Sequence, residues 1–421
     1  MTIQPTDKPV VMRELIDKTR FVLIFGSLGP LAFFAPKGLW LPILLLLLAS
    51  LKTLTTVTKR DYRRIFRQNA LYLTLPAYAV LSAAWAVVPE NAAITGAKLF
   101  GYFLAAMAVV VVVDRLSDAN RRSVFIWAAT GLVIADMFVW VDLGTAGALS
   151  GLVKQTPFVA YFYSRGAAIS ACAVLPIAVG LFRLSGLRPA LVFAGISMAT
   201  VLLLANEAAK LAAVLGILAY VVVWWRGIFF WPVVLLPLVV GIMSPMFFAN
   251  ELSNSQLCTL FNIKNSAAHR LFIYQFSSRK IFEKPFLGWG MDSSRSMPGG
   301  AKMAEIHDCS YKEGRPTTHK IGEKMSLHPH SAALQVWLEL GAVGVAILVG
   351  LLGTLILRWQ RRFASGPGRP LIAGLLTSIF LVYSISFGLW QSWLIFALIF
   401  LCAIVRALRI GNAETNVAPS G

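Results

Sequence analysis

The chain is short of charge. Only 14% of its 421 residues are Asp, Glu, Lys or Arg, where a soluble domain carries about a quarter. In place of charge there are apolar runs, long enough to cross a bilayer, that recur from Phe21 to Val405. Strict alternation of apolar and polar residues is missing, which excludes a membrane β-barrel. No cleavable leader is expected either. The first apolar run begins near Phe21, after a charged stretch, and no small-residue cleavage site follows it. No internal repeat or low-complexity tract stands out. Acids are scarcer than bases, 19 against 38, for a net charge of +19. In a soluble protein that excess would suggest nucleic acid as a partner. Here most Lys and Arg sit in short connections between apolar runs, as membrane orientation requires, and no nucleic-acid partner is expected.

The runs predict an all-α polytopic membrane protein of about twelve spans, roughly 20–36, 38–51, 69–88, 98–113, 123–143, 165–182, 190–205, 210–225, 228–248, 331–357, 370–388 and 390–405. Their connections alternate in charge. One set is basic: the N-terminal segment, "KRDYRRIFR" at 59–67, "DRLSDANRR" at 114–122, "RLSGLRP" at 183–189, Arg226, "RWQRRFASGPGR" at 358–369 and "RALR" at 406–409. The other, around Lys37 and at 89–98, 144–157 and 388–391, is nearly free of charge. Placing the basic set in the cytoplasm puts both termini there. The chain then divides into helices at 1–248, one long outer segment at 249–330, and helices with a cytoplasmic tail at 331–421. The outer segment holds all five histidines and two of the four cysteines, Cys258 and Cys309. In an oxidising compartment these two can form a disulfide, but sequence leaves them equally open to being free, since geometry decides. Cys172 and Cys402 read as core packing within spans.

Polar residues that do not suit a greasy chain gather on the outer side. Arg165 opens the sixth span, Lys210 opens the eighth, and Arg270 falls in "NSAAHRLFIYQF", an amphipathic helix that Pro285 ends. His328 and His330 close the outer segment in "HPHSAALQVWLELGAVG". A single cation at a span end often only snorkels. Several on the side where positive charge is disfavoured argue for a site. His330 lies eleven residues before Gly341, close to three helical turns or about 16 Å, so a continuous helix places both on one face. Gly341 and Gly344 there would let a neighbouring span approach. Ser331 is placed to cap the helix, and the positive end of the helix dipole disfavours imidazolium, keeping His330 a proton acceptor. A structural reading, with His330 as a hydrogen-bonded anchor of the loop, stands beside the catalytic one. For a metal, His307, Asp308, His319, His328 and His330 are the candidate ligands. None of their spacings is diagnostic and two histidines astride a proline point apart, so no metal is expected.

The pattern His330, Ser331, nine residues, Gly341, two residues, Gly344 resembles the signature of the O-antigen ligases. The stretch "HRLFIYQFSSRKIFEKPFLGWGMDSSR", with Pro285, Gly288 and Gly290 in a P-x-x-G-x-G turn, resembles that family's outer loop. The resemblance covers about 160–400. Where the family usually carries Arg near the outer end of the eighth span, this chain has Lys210, which keeps the charge and loses the bidentate fork. What the resemblance implies is a GT-C-like helical membrane transferase without a cofactor, in the bacterial inner membrane with its active site facing the periplasm. It implies a reaction joining O-antigen, carried on undecaprenyl diphosphate, to lipid A–core.

Such a transfer needs a base for the acceptor hydroxyl and positive charge for the departing diphosphate. The first outer connection, "FFAPKGLW", has no acid and the second only Glu90, which speaks against a carboxylate-held metal. Arg165, Lys210 and Arg270, with Arg295 as a lesser member, fit the diphosphate role. His330 fits the base in an inverting, metal-independent displacement, and His328 shapes the site. Membrane lipids and a groove for the polyprenyl tail complete the expected surroundings. O-antigen polymerase, with the same donor, is the nearest alternative. A transporter is a more remote one, with Asp136 as its clearest mid-membrane ionisable residue.

Overall fold

The computed structural model describes residues 20–148, 150–151, 160–250, 253–312, 315–362 and 368–408. In chain order its longer helices are α1 (Arg20–Phe34), α2 (Pro36–Ala49), α3 (Lys59–Asn69), α4 (Thr74–Leu81), α5 (Pro89–Asp114), α6 (Asp118–Gly144), α7 (Tyr161–Ser185), α8 (Leu187–Leu203), α9 (Glu207–Trp225) and α10 (Gly227–Phe247), with a short helix at Leu51–Thr55 between α2 and α3. Two helices outside the apolar runs follow, α11 (Asn254–Ile263) and α12 (Asn265–Glu283). A hairpin of β1 (Met303–Lys312) and β2 (Arg315–Glu323) comes next, then α13 (Ala332–Arg362), α14 (Gly368–Ile385) and α15 (Ser392–Ala407). Among the described residues, α5, α6, α7, α9, α10, α13 and α14 are long and apolar enough to cross a membrane, and α1, α2, α8 and α15 are shorter apolar helices. Large apolar side chains such as Trp224, Trp225, Leu236 and Phe247 are more than half exposed. Water would not tolerate so extensive an apolar surface. The molecule is a polytopic helical membrane protein.

Several boundaries differ from those read in the sequence. Residues 69–88 form an interrupted element, with 3₁₀ turns at Ala70–Leu73 and Ser82–Ala84 flanking α4. The connection expected at 89–98 is already helix. Pro89 opens α5, because its fixed φ and missing N–H suit the first helical position and force Val88 to be extended. The all-α expectation fails at β1 and β2, which pair antiparallel with bulges after Ala304 and His307. Cys258 on α11 is bonded to Cys309 on β1, and Leu257, Ala268 and Ile306 form a small core beneath them.

Segments distant in the chain meet at the ends of the helices. At one end Arg406 pairs with Asp114 (Nε to Oδ1 2.6 Å), Arg121 donates to the carbonyls of Leu116 and Asp114, and Arg358 donates to Gln68 and Asn69. α5 and α13 run from that end to the other, where the Val87 N–H meets the Trp289 carbonyl. There Asn206 donates to both oxygens of Ser164 (2.8 Å each). Small residues close the packing between: Gly216 and Gly374 bring α9 and α14 into backbone contact, and Ser378 donates to the Ala212 carbonyl (2.9 Å). Asp136 on α6 is fully buried and takes the Ser197 hydroxyl of α8 at 2.7 Å, within this packed interior.

Candidate active site

The stretch from His328 to Gly344 is not one helix. Helix α13 begins at Ala332 and breaks at Gly341, whose φ of 62° and ψ of −165° lie outside helical space. The alignment of His330 with Gly341 along a continuous face therefore does not hold. Nor do the glycines make a seam for a neighbouring span. A Cβ on Gly341 would stand 2.3 Å from the Phe286 carbonyl oxygen, and one on Gly344 would stand 2.2 Å from Leu340 of its own helix, doubled over at the break. The break is filled by the Pro285–Gly290 turn. Trp289 and Gly290 donate to the carbonyls of Leu338 and Glu339 (2.9 and 2.8 Å), and Ala342 and Val343 donate to those of Pro285 and Phe286 (2.8 and 3.2 Å). The Tyr78 hydroxyl donates to the Leu340 carbonyl (3.2 Å). Backbone groups released by the break thus find partners, as a bilayer setting demands. Gly288, with φ of 69°, allows the approach, since a Cβ there would lie 2.6 Å from the Glu339 carbonyl oxygen.

The two histidines sit before this helix, facing each other rather than apart. Their ring centroids are 4.4 Å apart. The cause is His330, whose φ of 53° is left-handed, at a cost of roughly 1–2 kcal/mol for a non-glycine residue. That conformation lets the His330 N–H donate to His328 Nδ1 (3.1 Å). Ser331 caps α13 through a long bond from the Leu334 N–H (3.5 Å). The loop between α14 and α15 closes over the pair: His330 Nδ1 lies 2.9 Å from the Ser386 carbonyl, and Gly388 packs against the His328 ring. A carbonyl only accepts, so Nδ1 carries the proton and Nε2 is left with the basic lone pair. Burial is the first cause holding both imidazoles below their ordinary titration range. His328 is pushed down to about 3, helped by the charges of His330, Arg295 and Arg270. His330 is also lowered, with Arg270 and His269 assisting and the Ser386 bond opposing. His328 is buried at 6% exposure, whereas His330 is half-buried and reachable.

The cations expected around the site are arranged unequally. Arg270 on α12 is half-buried and close enough to bias both histidines. Arg295 is exposed and pairs with Asp292 (3.4 Å). Arg165 lies 5.8 Å from the Trp393 ring, and Trp393 donates to Gln391, whose amide borders His328 Nε2 at 3.3 Å. Among the described residues no carboxylate pairs with Arg165 or Arg270. Lys210 is turned to Glu207 of its own helix at 3.4 Å, and among the described residues no contact draws it to the histidine loop. Of the residues considered as metal ligands, His307 bonds Thr318 and His319 lies against Phe261, while the side chain of Asp308 is outside the described residues. Among the described residues no group of three such side chains could hold an ion.

One polar residue was passed over in the sequence. Glu339 is fully buried one turn below Gln335, and its carboxylate collects four donors: the Asp292 N–H (2.9 Å), the Ser294 hydroxyl (2.5 Å), the Gln335 amide (3.1 Å) and Trp390 Nε1 (2.7 Å). The signal available was an acid inside an apolar helix, which is expensive unless it has a task. Beside the loop, an apolar groove of about 280 Å³ runs between α10, α13 and α14, from Ala332 and Leu389 to Leu352 and Ile356.

Fold and site together define a polytopic helical membrane protein with a buried polar centre, two histidines and an apolar groove at one end. Residues 192–349 match the family model described as O-antigen ligase. The chain is 27% identical over 349 residues to a Rickettsia typhi protein named "Putative polysaccharide ligase", covering 79% of this chain and 78% of that one. A Rickettsia conorii protein of the same name is 23% identical over 352 residues, covering 81% and 79%. The resemblance to the O-antigen ligase superfamily, first carried by the His330–Gly344 pattern, is thus supported by the family model and by these relatives. Arg165 and the loop between α14 and α15, which supplies Ser386, lie outside the matched range.

Proposed function

We propose that the protein is an O-antigen ligase, a glycosyltransferase that moves glycan from undecaprenyl diphosphate to lipid A–core at the periplasmic face of the inner membrane. In this reading about twelve segments span the membrane, both termini are cytoplasmic, and residues 249–330 form the outer segment. The observation that carries it is the fixed tautomer of His330 at the head of an apolar groove. Nε2 takes the proton of the acceptor hydroxyl as that oxygen attacks the anomeric carbon. The bond from that carbon to the diphosphate oxygen breaks, inverting the centre, and the electron pair leaves with undecaprenyl diphosphate. Arg270 and Arg295, with Arg165 across the loop, meet that charge as fixed cations. Lys210 is the peripheral member. The groove takes the polyprenyl tail, being apolar and running along α13 from the site.

Purified protein supplied with lipid-linked glycan and lipid A–core should form capped product, and His330→Ala should not. Transfer at the wild-type rate by His330→Ala would remove His330 from the role of base. In cells, a deletion strain should lose all capped lipopolysaccharide and accumulate lipid-linked polymer. Core bearing a single repeat would mean polymerase instead.

A further inference from the structure

We propose that Glu339 is a positioning residue that sets the base His330 and the cation Arg295 into one geometry; the inference rests on the reading of His330 as the base. Each oxygen of the buried carboxylate accepts two bonds. Oε1 takes the Ser294 hydroxyl and the Gln335 amide, and Oε2 takes the Asp292 N–H and Trp390 Nε1. Its acceptor capacity is then used in full.

Two paths leave it. On one side Gln335, whose own oxygen accepts the Leu389 N–H at 2.8 Å, and Trp390 fix the loop between α14 and α15. That loop supplies the Ser386 carbonyl that holds His330 Nδ1, and the Gly388 backbone that packs on His328. On the other side Asp292 precedes the 3₁₀ turn Ser293–Ser296 and Ser294 lies within it; that turn carries Arg295, which pairs with Asp292. A single group thereby ties the element that orients the base to the element that presents a cation to the leaving group.

The chemistry of the donors makes the point testable. The Asp292 N–H and the Trp390 indole N–H cannot accept, and the Gln335 amide has its oxygen committed to Leu389. Replacing Glu339 by Gln keeps the shape but turns an N–H₂ either toward Asp292 and Trp390, which only donate, or toward Gln335 and Ser294, of which only the hydroxyl is free to accept. Either the amide of Gln335 turns over and releases Leu389, or one donor is left buried without a partner. In both cases the loop over the histidines loosens, and His330 becomes more exposed to water.

The experiment is carbethoxylation of His330 by diethyl pyrocarbonate as a function of pH, read site by site by mass spectrometry on the full-length protein in detergent. Wild type is compared with Glu339→Gln, Trp390→Phe and Ser294→Ala. The charges that face His330, namely Arg270 and His269 on α12, His328 beside it and Arg295 nearby, stay in place. Glu339→Gln should move the midpoint of His330 modification to higher pH, toward an ordinary imidazole. Trp390→Phe should move it less, in the same direction. Glycan transfer should fall about 10- to 100-fold in kcat, as a slight misplacement of a reacting group does. An unmoved midpoint in Glu339→Gln, even with lowered thermal stability, would make Glu339 merely structural and overturn the inference. Should Glu339→Gln fail to fold, the two single-donor variants carry the same test, and an unmoved midpoint in both overturns it. If His330→Ala transfers glycan while Glu339→Gln still shifts the titration of His330, the assignment of the base fails and the positioning role stands.

Discussion

The two histidines differ by one proton's worth of environment. His328 is buried and uses Nδ1 to accept the His330 N–H, whereas His330 is reachable and uses Nδ1 to donate. The folded imidazole of His328 titrates at about 3, against about 6.5 when unfolded. As pH falls through that window the unfolded chain takes the proton first, so stability is complete above about 6.5 and declines below it. His330, also lowered, adds a loss of the same sign. His328→Asn, which can place Oδ1 where Nδ1 accepts, should flatten the fall of thermal midpoint measured between about pH 7 and about pH 5. At Arg270, lysine keeps the charge and loses the fork. Arg270→Lys should lower transfer about tenfold or more if the diphosphate contact is bidentate, and steady-state kinetics on purified protein reads this directly. At this scale the sequence was informative about residue types and poor about partners. His330 stood out as a rare histidine on a greasy chain, but Ser386, its partner, is 56 residues away. Glu339 looked like one acid in an apolar run, because its donors Asp292, Ser294 and Trp390 are all distant in the chain.

Among the elements, the break in α13 was the least legible. Glycine is common in membrane helices, so "LELGAVG" reads as continuous. What forces Gly341 to a positive φ is a turn some 50 residues earlier that inserts its backbone. Gly341→Ala combines an alanine held in a backbone region essentially reserved to glycine, at roughly 1–3 kcal/mol, with a methyl group driven onto the Phe286 carbonyl. It should abolish most activity and lower thermal stability. Gly353→Ala, lower on the same helix with open space around it, should be tolerated or gain about 0.5–1 kcal/mol. Circular dichroism melting and transfer assays on both variants separate these outcomes. The hairpin of β1 and β2 escaped notice for a similar reason. Its sequence is rich in Lys, Glu and His and lacks the apolar alternation of a strand, and it is held by Cys258–Cys309 and a small local core. In the chain-entropy account, a bridge across a separation of 51 residues removes about 4 kcal/mol of unfolded-state freedom. Cys309→Ser should therefore expose α11 and the β1–β2 hairpin to limited proteolysis at temperatures where the wild type resists, while the apolar helices stay protected.

For the whole molecule, composition carried the architecture. Low charge, long apolar runs and alternating basic connections were enough to read a polytopic helical protein, since in a bilayer the backbone leaves few other solutions. The groove between α10, α13 and α14 was not readable, because it depends on which faces of three helices leave space rather than on which residues are apolar. Leu348→Trp, which fills that groove midway, should raise the KM for a full-length polyprenyl donor and leave a short-chain donor nearly unaffected. Equal effects on both donors would move the tail elsewhere. The helix break also bears on how such a chain can drift. Its contacts run backbone to backbone, so they ask nothing of the Phe286 and Leu287 side chains, which point outward at 73% and 48% exposure. Gly288 and Gly341 have no such latitude, and Gly290 would press a methyl group into Ala86. The spacing x-x-G-x-G is then the imprint of a docking event: at Phe286 and Leu287 the backbone takes part and the side chains are spare, whereas Gly288 and Gly290 have no room for a side chain at all.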